Sequence, residues 1–66
     1  MDIYVNGNKQ TVPDGYTAAQ LVESMALGGR RIAMEVNAEI VPRSEYLQHR
    51  FSQGDRVEIV HAVGGG

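Results

Sequence analysis

Three consecutive glycines, Gly64-Gly65-Gly66, are the residues of this sequence with the clearest chemical use. Read as a carboxyl terminus, Gly66 carries the free α-carboxylate. A glycine tail has no side chains to pack, and ordering it costs much backbone entropy. The expectation is therefore a mobile segment that only a partner protein would hold. Counted from Val63, its four residues at about 3.6 Å each reach roughly 14 Å from the body. Lacking Cβ atoms, such a tail threads a narrow channel and presents its carboxylate without steric hindrance. An ionised carboxylate is a poor electrophile at neutral pH, so it must first be activated, for example as an acyl-adenylate. Attack by a sulfur donor then leaves a thiocarboxylate, a softer and stronger nucleophile, and attack by a lysine amine leaves a conjugate. Either route needs a partner that binds ATP. The plain alternative is an incidental disordered end.

The side chains offer no rival chemistry. His49 and His61 stand twelve apart with no third ligand at metal spacing, and His61 reads as an exposed or edge position on a last strand. Glu35, Glu39, Glu45, Asp55 and Glu58 are spread along strands and turns, as on a solvated face. Ser24, Ser44 and Ser52 lack a histidine and acid in triad order. Gly28-Gly29 is not followed by the Lys-Ser/Thr of a phosphate loop. With no cysteine there is no disulfide, thiolate site or cysteine nucleophile. Net charge is −2, and the six basic residues form no run longer than a pair, which argues against nucleic acid. No apolar run approaches the roughly 18 residues of a membrane span. Met1-Asp2-Ile3-Tyr4-Val5 lacks a signal-peptide pattern. A soluble cytoplasmic protein with no bound cofactor or metal is expected.

The elements that position the tail can be read in order. Ile3-Tyr4-Val5 alternates, with Ile3 and Val5 on one face and Tyr4 on the other. Asn6-Gly7 is a hairpin turn, and Lys9 to Val12 is the returning strand, ended by Pro13. Thr17-Ala18-Ala19-Gln20 fits a capping box, and Ala18, Leu21, Val22 and Met25 share one helical face. The spacing predicts a helix of ten or so residues that stops at Gly28-Gly29. Arg31 to Val36 alternates, with Ile32, Met34 and Val36 inward. Asn37-Ala38-Glu39 turns into a short strand, Ile40-Val41, closed by Pro42. Ser44 can cap a single helical turn, and an irregular stretch runs to Ser52. Gln53-Gly54-Asp55 turns into the last strand, Arg56 to Ala62, with Val57 and Ile59 inward and Val63 a further candidate for that face. One helix buries its stripe only against a sheet. The fold class is therefore α+β, a small roll with one mixed sheet and a single main helix across one face. The other sheet face stays open at Tyr4, Val60 and Ala62, a candidate docking surface.

This order of elements resembles the β-grasp, or ubiquitin-like, fold. Val36-Asn37-Ala38-Glu39-Ile40-Val41-Pro42-Arg43 resembles the central stretch of the ThiS family, the sulfur carriers of thiamine biosynthesis. Gly54-Asp55-Arg56-Val57-Glu58-Ile59, Ile3-Tyr4-Val5-Asn6-Gly7 and the terminal diglycine are similar to the same family. The resemblance implies a β-grasp domain over residues 1–63 and a carrier tail over 64–66. It implies that Gly64, Gly65 and Gly66 enter a partner channel and that Gly66 is adenylated and thiocarboxylated. An E1-like adenylyltransferase of the ThiF type would use ATP and magnesium, a persulfide donor would supply sulfur, and a ThiG-type thiazole synthase would consume it. The carrier would be a protein cosubstrate and not an enzyme. Gly64 departs from the family, where another residue often precedes the diglycine. Other classes that share the tail are sulfur carriers for molybdopterin or tRNA thiolation and ubiquitin-like modifiers. A non-conjugating β-grasp binding module is a further alternative.

Overall fold

In the computed structural model, which describes residues 1–61, the first hairpin forms where Asn6-Gly7 marks it. Strands β1 (Asp2–Val5) and β2 (Asn8–Thr11) pair antiparallel across a two-residue turn. Asn6 and Gly7 have φ of 50° and 84°, and positive values at both turn residues match the twist of the flanking strands. Val12, just past β2, is buried as expected.

Helix α1 (Ala18–Ser24) begins at the predicted cap. The backbone N–H of Gln20 donates to Thr17 Oγ1 at 3.2 Å, and that of Thr17 donates to Gln20 Oε1 at 2.8 Å. The two remaining first-turn donors find distant carbonyls: Ala18 N–H donates to His49 O at 2.9 Å and Ala19 N–H to Tyr46 O at 3.0 Å. The irregular stretch before Ser52 therefore has a structural task. It crosses the start of α1 and satisfies the N–H groups that a helix leaves unpaired, which brings Tyr46 and Phe51 into the core.

The helix is shorter than the spacing predicts. It ends at Ser24 with Met25 as its cap, ahead of Gly28-Gly29. Ala26 N–H donates to Glu23 O and Leu27 N–H to Val22 O, each at 3.0 Å, while Ala26 takes φ 57°. This is a Schellman ending with alanine where glycine is usual. Hydrogen bonds close the helix before a glycine is reached.

Strands β3 (Ile32–Val36) and β4 (Glu39–Val41) form a second hairpin, and β5 (Arg56–His61) completes the sheet. The expected three-residue turn is in fact two residues, Asn37 and Ala38, both at positive φ, and Glu39 joins β4. After Pro42, a 3₁₀ turn spans Arg43–Glu45 with no side-chain cap. Ser44 lies inside that turn and does not cap it. The Arg43 guanidinium instead donates to Arg30 O at 2.6 Å, tying the segment after α1 to this turn.

The sheet order is β2-β1-β5-β3-β4, with β1 and β5 parallel and the other neighbours antiparallel. Ile3 and Val5, Met34 and Val36, Val41, and Val57 and Ile59 all turn to the side that α1 covers with Ala18, Leu21 and Val22. No described helix is long and apolar enough to cross a membrane.

Two stability predictions follow from this packing. Ala26→Gly relieves a left-handed alanine and should stabilise the fold by up to about 1 kcal/mol. A lower urea midpoint for the variant would contradict the ending described. Burial raises the pKa of the Tyr46 hydroxyl above its ordinary value, against a smaller opposing pull from Arg43. The folded state thus holds this proton more tightly than the unfolded chain. Its contribution is complete below the ordinary tyrosine pKa and is lost as pH rises past it. Alkaline unfolding curves should show Tyr46→Phe losing less stability than wild type above about pH 10.

Candidate functional site

The last strand carries the chain toward Gly64-Gly65-Gly66, so the site is built from β5 outward. β5 lies in the middle of the sheet, and its odd and even residues divide their backbone groups between two neighbours. Tyr4 N–H donates to Asp55 O at 2.9 Å and Asn6 N–H to Val57 O at 2.8 Å. Odd-numbered residues of this strand thus face β1. On the other side Asn37 N–H donates to Arg56 O at 2.8 Å, and even-numbered residues face β3.

The hairpin turns β1 away after Val5, and the Asn6 side chain takes over. Its Oδ1 accepts the N–H of Ile59 at 2.8 Å, one step beyond the last β1–β5 pair, Val5 with Val57. Asn6 thus serves twice, as a turn residue at positive φ and as an acceptor that prolongs the ladder. Its role in the turn was legible in the sequence. Its reach across 53 residues was not.

The family-like motifs meet at the opposite end of β5. Asn37 Nδ2 donates to Asp55 Oδ1 at 3.0 Å, and Asn37 Oδ1 accepts from Arg56 N–H at 3.0 Å. Asp55 Oδ2 accepts from Ser52 N–H at 2.8 Å. Asn37 and Asp55 therefore lock the β3–β4 turn onto the start of β5, and the Asp55 carboxylate is committed to that structure.

Tyr4 and Val60 do share the sheet face that α1 leaves open, at 39% and 54% exposure. Ile40, 73% exposed on β4, extends the same face, which the sequence reading had not singled out. Ala33 pairs with Val60, and Glu35 lies directly opposite Glu58. A shallow groove of about 440 Å³ runs here, lined by Glu35, Arg56, Glu58 and Val60 among others. Like charges opposite one another destabilise a strand pair, and Arg56 lines the same groove beside them. Ala62, Gly64, Gly65 and Gly66, and the inward position proposed for Val63, lie outside the described residues.

Several titratable side chains gather at the opposite end of the sheet. Glu39, Glu45, His49 and Asp55 line a common groove of about 380 Å³. Among the described residues no three His, Cys, Asp or Glu are grouped to hold a metal. His49 is half-buried and sets its ring edge-on to Phe51, with centroids 5.4 Å apart. Its Nε2 is buried without a hydrogen-bond partner among the described residues. His61 is exposed on β5, as its place in the sequence implies.

The family model described as the ThiS family matches residues 3–66. The chain belongs to the ThiS family. It is 29% identical to the sulfur carrier protein ThiS of Escherichia coli, with all of both chains covered. The crystal structure of a ThiS thiamine biosynthesis protein from Geobacter metallireducens superposes with a TM-score of 0.84 at 26% identity, again over the whole of both chains. The fold is thus the β-grasp fold of that family. The whole chain is also 36% identical to part of a thiazole synthase from Paramagnetospirillum magneticum, and it spans about a fifth of that protein's length.

Asn6→Ala tests how this ThiS-family chain supports its last strand. It leaves the partly buried Ile59 N–H without its acceptor, at a cost of about 1–3 kcal/mol. Amide exchange at Ile59 should accelerate more than at Glu58, whose N–H faces β3. Equal acceleration at both positions would show that Asn6 matters only through the turn.

Proposed function

We propose that this chain is a sulfur carrier of thiamine biosynthesis, with Gly66 as the residue that bears the sulfur. The supporting observation is likeness over the full length of both chains to a sulfur carrier ThiS, together with the Gly65-Gly66 end inside the matched range. The described domain contributes a rigid sheet with β5 at its centre, and the tail contributes the reacting group.

The chemistry follows from the carboxylate. A Gly66 oxygen attacks the α-phosphorus of ATP held with magnesium by an E1-like adenylyltransferase, and pyrophosphate leaves. The terminal sulfur of a persulfide donor attacks the carbonyl carbon, and AMP leaves. A second thiol then breaks the sulfur–sulfur bond, which leaves a thiocarboxylate on Gly66. A thiazole synthase takes that sulfur for thiazole formation and returns the carboxylate. The likeness of this chain to a segment of thiazole synthases supports that partner. Within this scheme the chain is a cosubstrate, ATP and magnesium belong to the partner, and the cytoplasm supplies the setting. Gly64, Gly65 and Gly66 occupy the partner's channel, and the face bearing Tyr4, Val60 and Ala62 docks beside it.

Incubation with an E1-like adenylyltransferase, magnesium-ATP and a persulfide donor should raise the intact mass by the difference between sulfur and oxygen. Deleting Gly66 should abolish the gain. An unchanged mass, with enzymes active on another carrier, would overturn the proposal. A lysine-linked remnant of the tail on other proteins would point to a modifier instead.

A further inference from the structure

We propose that β5 carries an open hydrogen-bonding lane, at Ile59 to His61, that takes up an extended strand of the thiazole synthase. The inference rests on the carrier reading above and adds the mode of docking to it. The lane is a consequence of register. Odd-numbered residues of β5 face β1, yet the β1–β5 pairing ends at Val57 and the Asn6 side chain accepts only the Ile59 N–H. Continuing the same alternation, the Ile59 carbonyl and the His61 N–H point into the line that β1 has vacated. Neither has a hydrogen-bond partner on that side among the described residues. The even-numbered Glu58 and Val60 remain paired to β3, so the strand is held on one side while it is open on the other.

An acceptor and a donor two residues apart along an extended strand match the backbone of another extended strand. A parallel segment would place one residue opposite Val60, donating to Ile59 O and accepting from His61 N–H, in line with β1. The flanking side chains provide selectivity. Val60 and Glu58 lie on the open face, with Tyr4 and Arg56 behind them. The occupant is argued from the relatives: this whole chain matches a segment of thiazole synthase polypeptides, so those proteins carry such a module on the same chain as the synthase.

The experiment is amide exchange by NMR on the full chain, alone and with thiazole synthase from the same organism. The His61 amide should exchange readily in the free chain and slow by about tenfold or more in the complex, while Ile59 changes little. His61→Pro deletes this one donor, which the β3 pairing does not use, and a strand tolerates proline where its N–H faces outward. It should retain the thermal midpoint and weaken binding by about tenfold, whereas His61→Ala should bind as wild type does. A complex in which His61 stays unprotected, or no complex at all, overturns the open-lane proposal. The mass gain at Gly66 is read separately, so a carrier that accepts sulfur but shows either result leaves the function standing without this docking mode. If His61→Pro fails to fold, the exchange measurement on the wild-type chain decides alone.

Discussion

The structure depends on β5 being held from two sides by different means. β3 holds it along its whole described length through a regular antiparallel ladder. β1 holds only its first residues, and one asparagine side chain supplies the next bond. This strand is thus firmly placed at its start and progressively released on one side toward its end. The fixed start holds β5 in the sheet, and under the docking mode proposed above its open backbone groups leave room for a partner to finish the ladder.

The helix is organised around the same constraint. Its apolar stripe is short, and Leu21 at its centre is fully buried. A seven-residue helix holds together poorly by itself in water. Here the first turn is anchored by the Thr17–Gln20 box and by the Tyr46 and His49 carbonyls, and the last turn by the Schellman bonds. The apparently structureless stretch between the 3₁₀ turn and β5 is consequently part of the helix cap. Phe51 and Tyr46 enter the core because their backbone is already committed there.

What was legible in the sequence was whatever depends on neighbours along the chain. Period-two alternation revealed β1, β3 and β5, the Asn-Gly pair revealed the first turn, and Thr17 with Gln20 revealed the start of α1. What escaped depends on distance. The helix end was misplaced because an alanine accepted a left-handed conformation that glycine was expected to supply, once two backbone hydrogen bonds fixed it. Ser44 has the residue type of a cap, but Pro42 occupies the cap position and Ser44 lies inside the 3₁₀ turn. The long-range reach of Asn6, and the pairing that links Asn37 to Asp55, have no local signature. At the site, the exposure of Tyr4 and Val60 followed from alternation. Ile40 joins them only because β4 registers with β3.

The division of labour within this chain follows from where its polar side chains are spent. Asn6, Asn37 and Asp55 look like binding residues in a list of motifs. Each is consumed in holding β5 or the turns at its two ends. The Asp55 carboxylate spends one oxygen on Asn37 Nδ2 and the other on the Ser52 N–H, which suits a clamp. The motifs that mark the family in sequence are therefore chiefly devices for presenting the last strand. Acyl activation needs a nucleotide, a metal and a sulfur donor brought to one carbonyl. On the function proposed above those groups belong to a partner, and a chain of 66 residues has little interior in which to build a pocket for them. Glu35 and Glu58 pair on an uncovered face, where two like charges directly opposite one another cost the domain some stability.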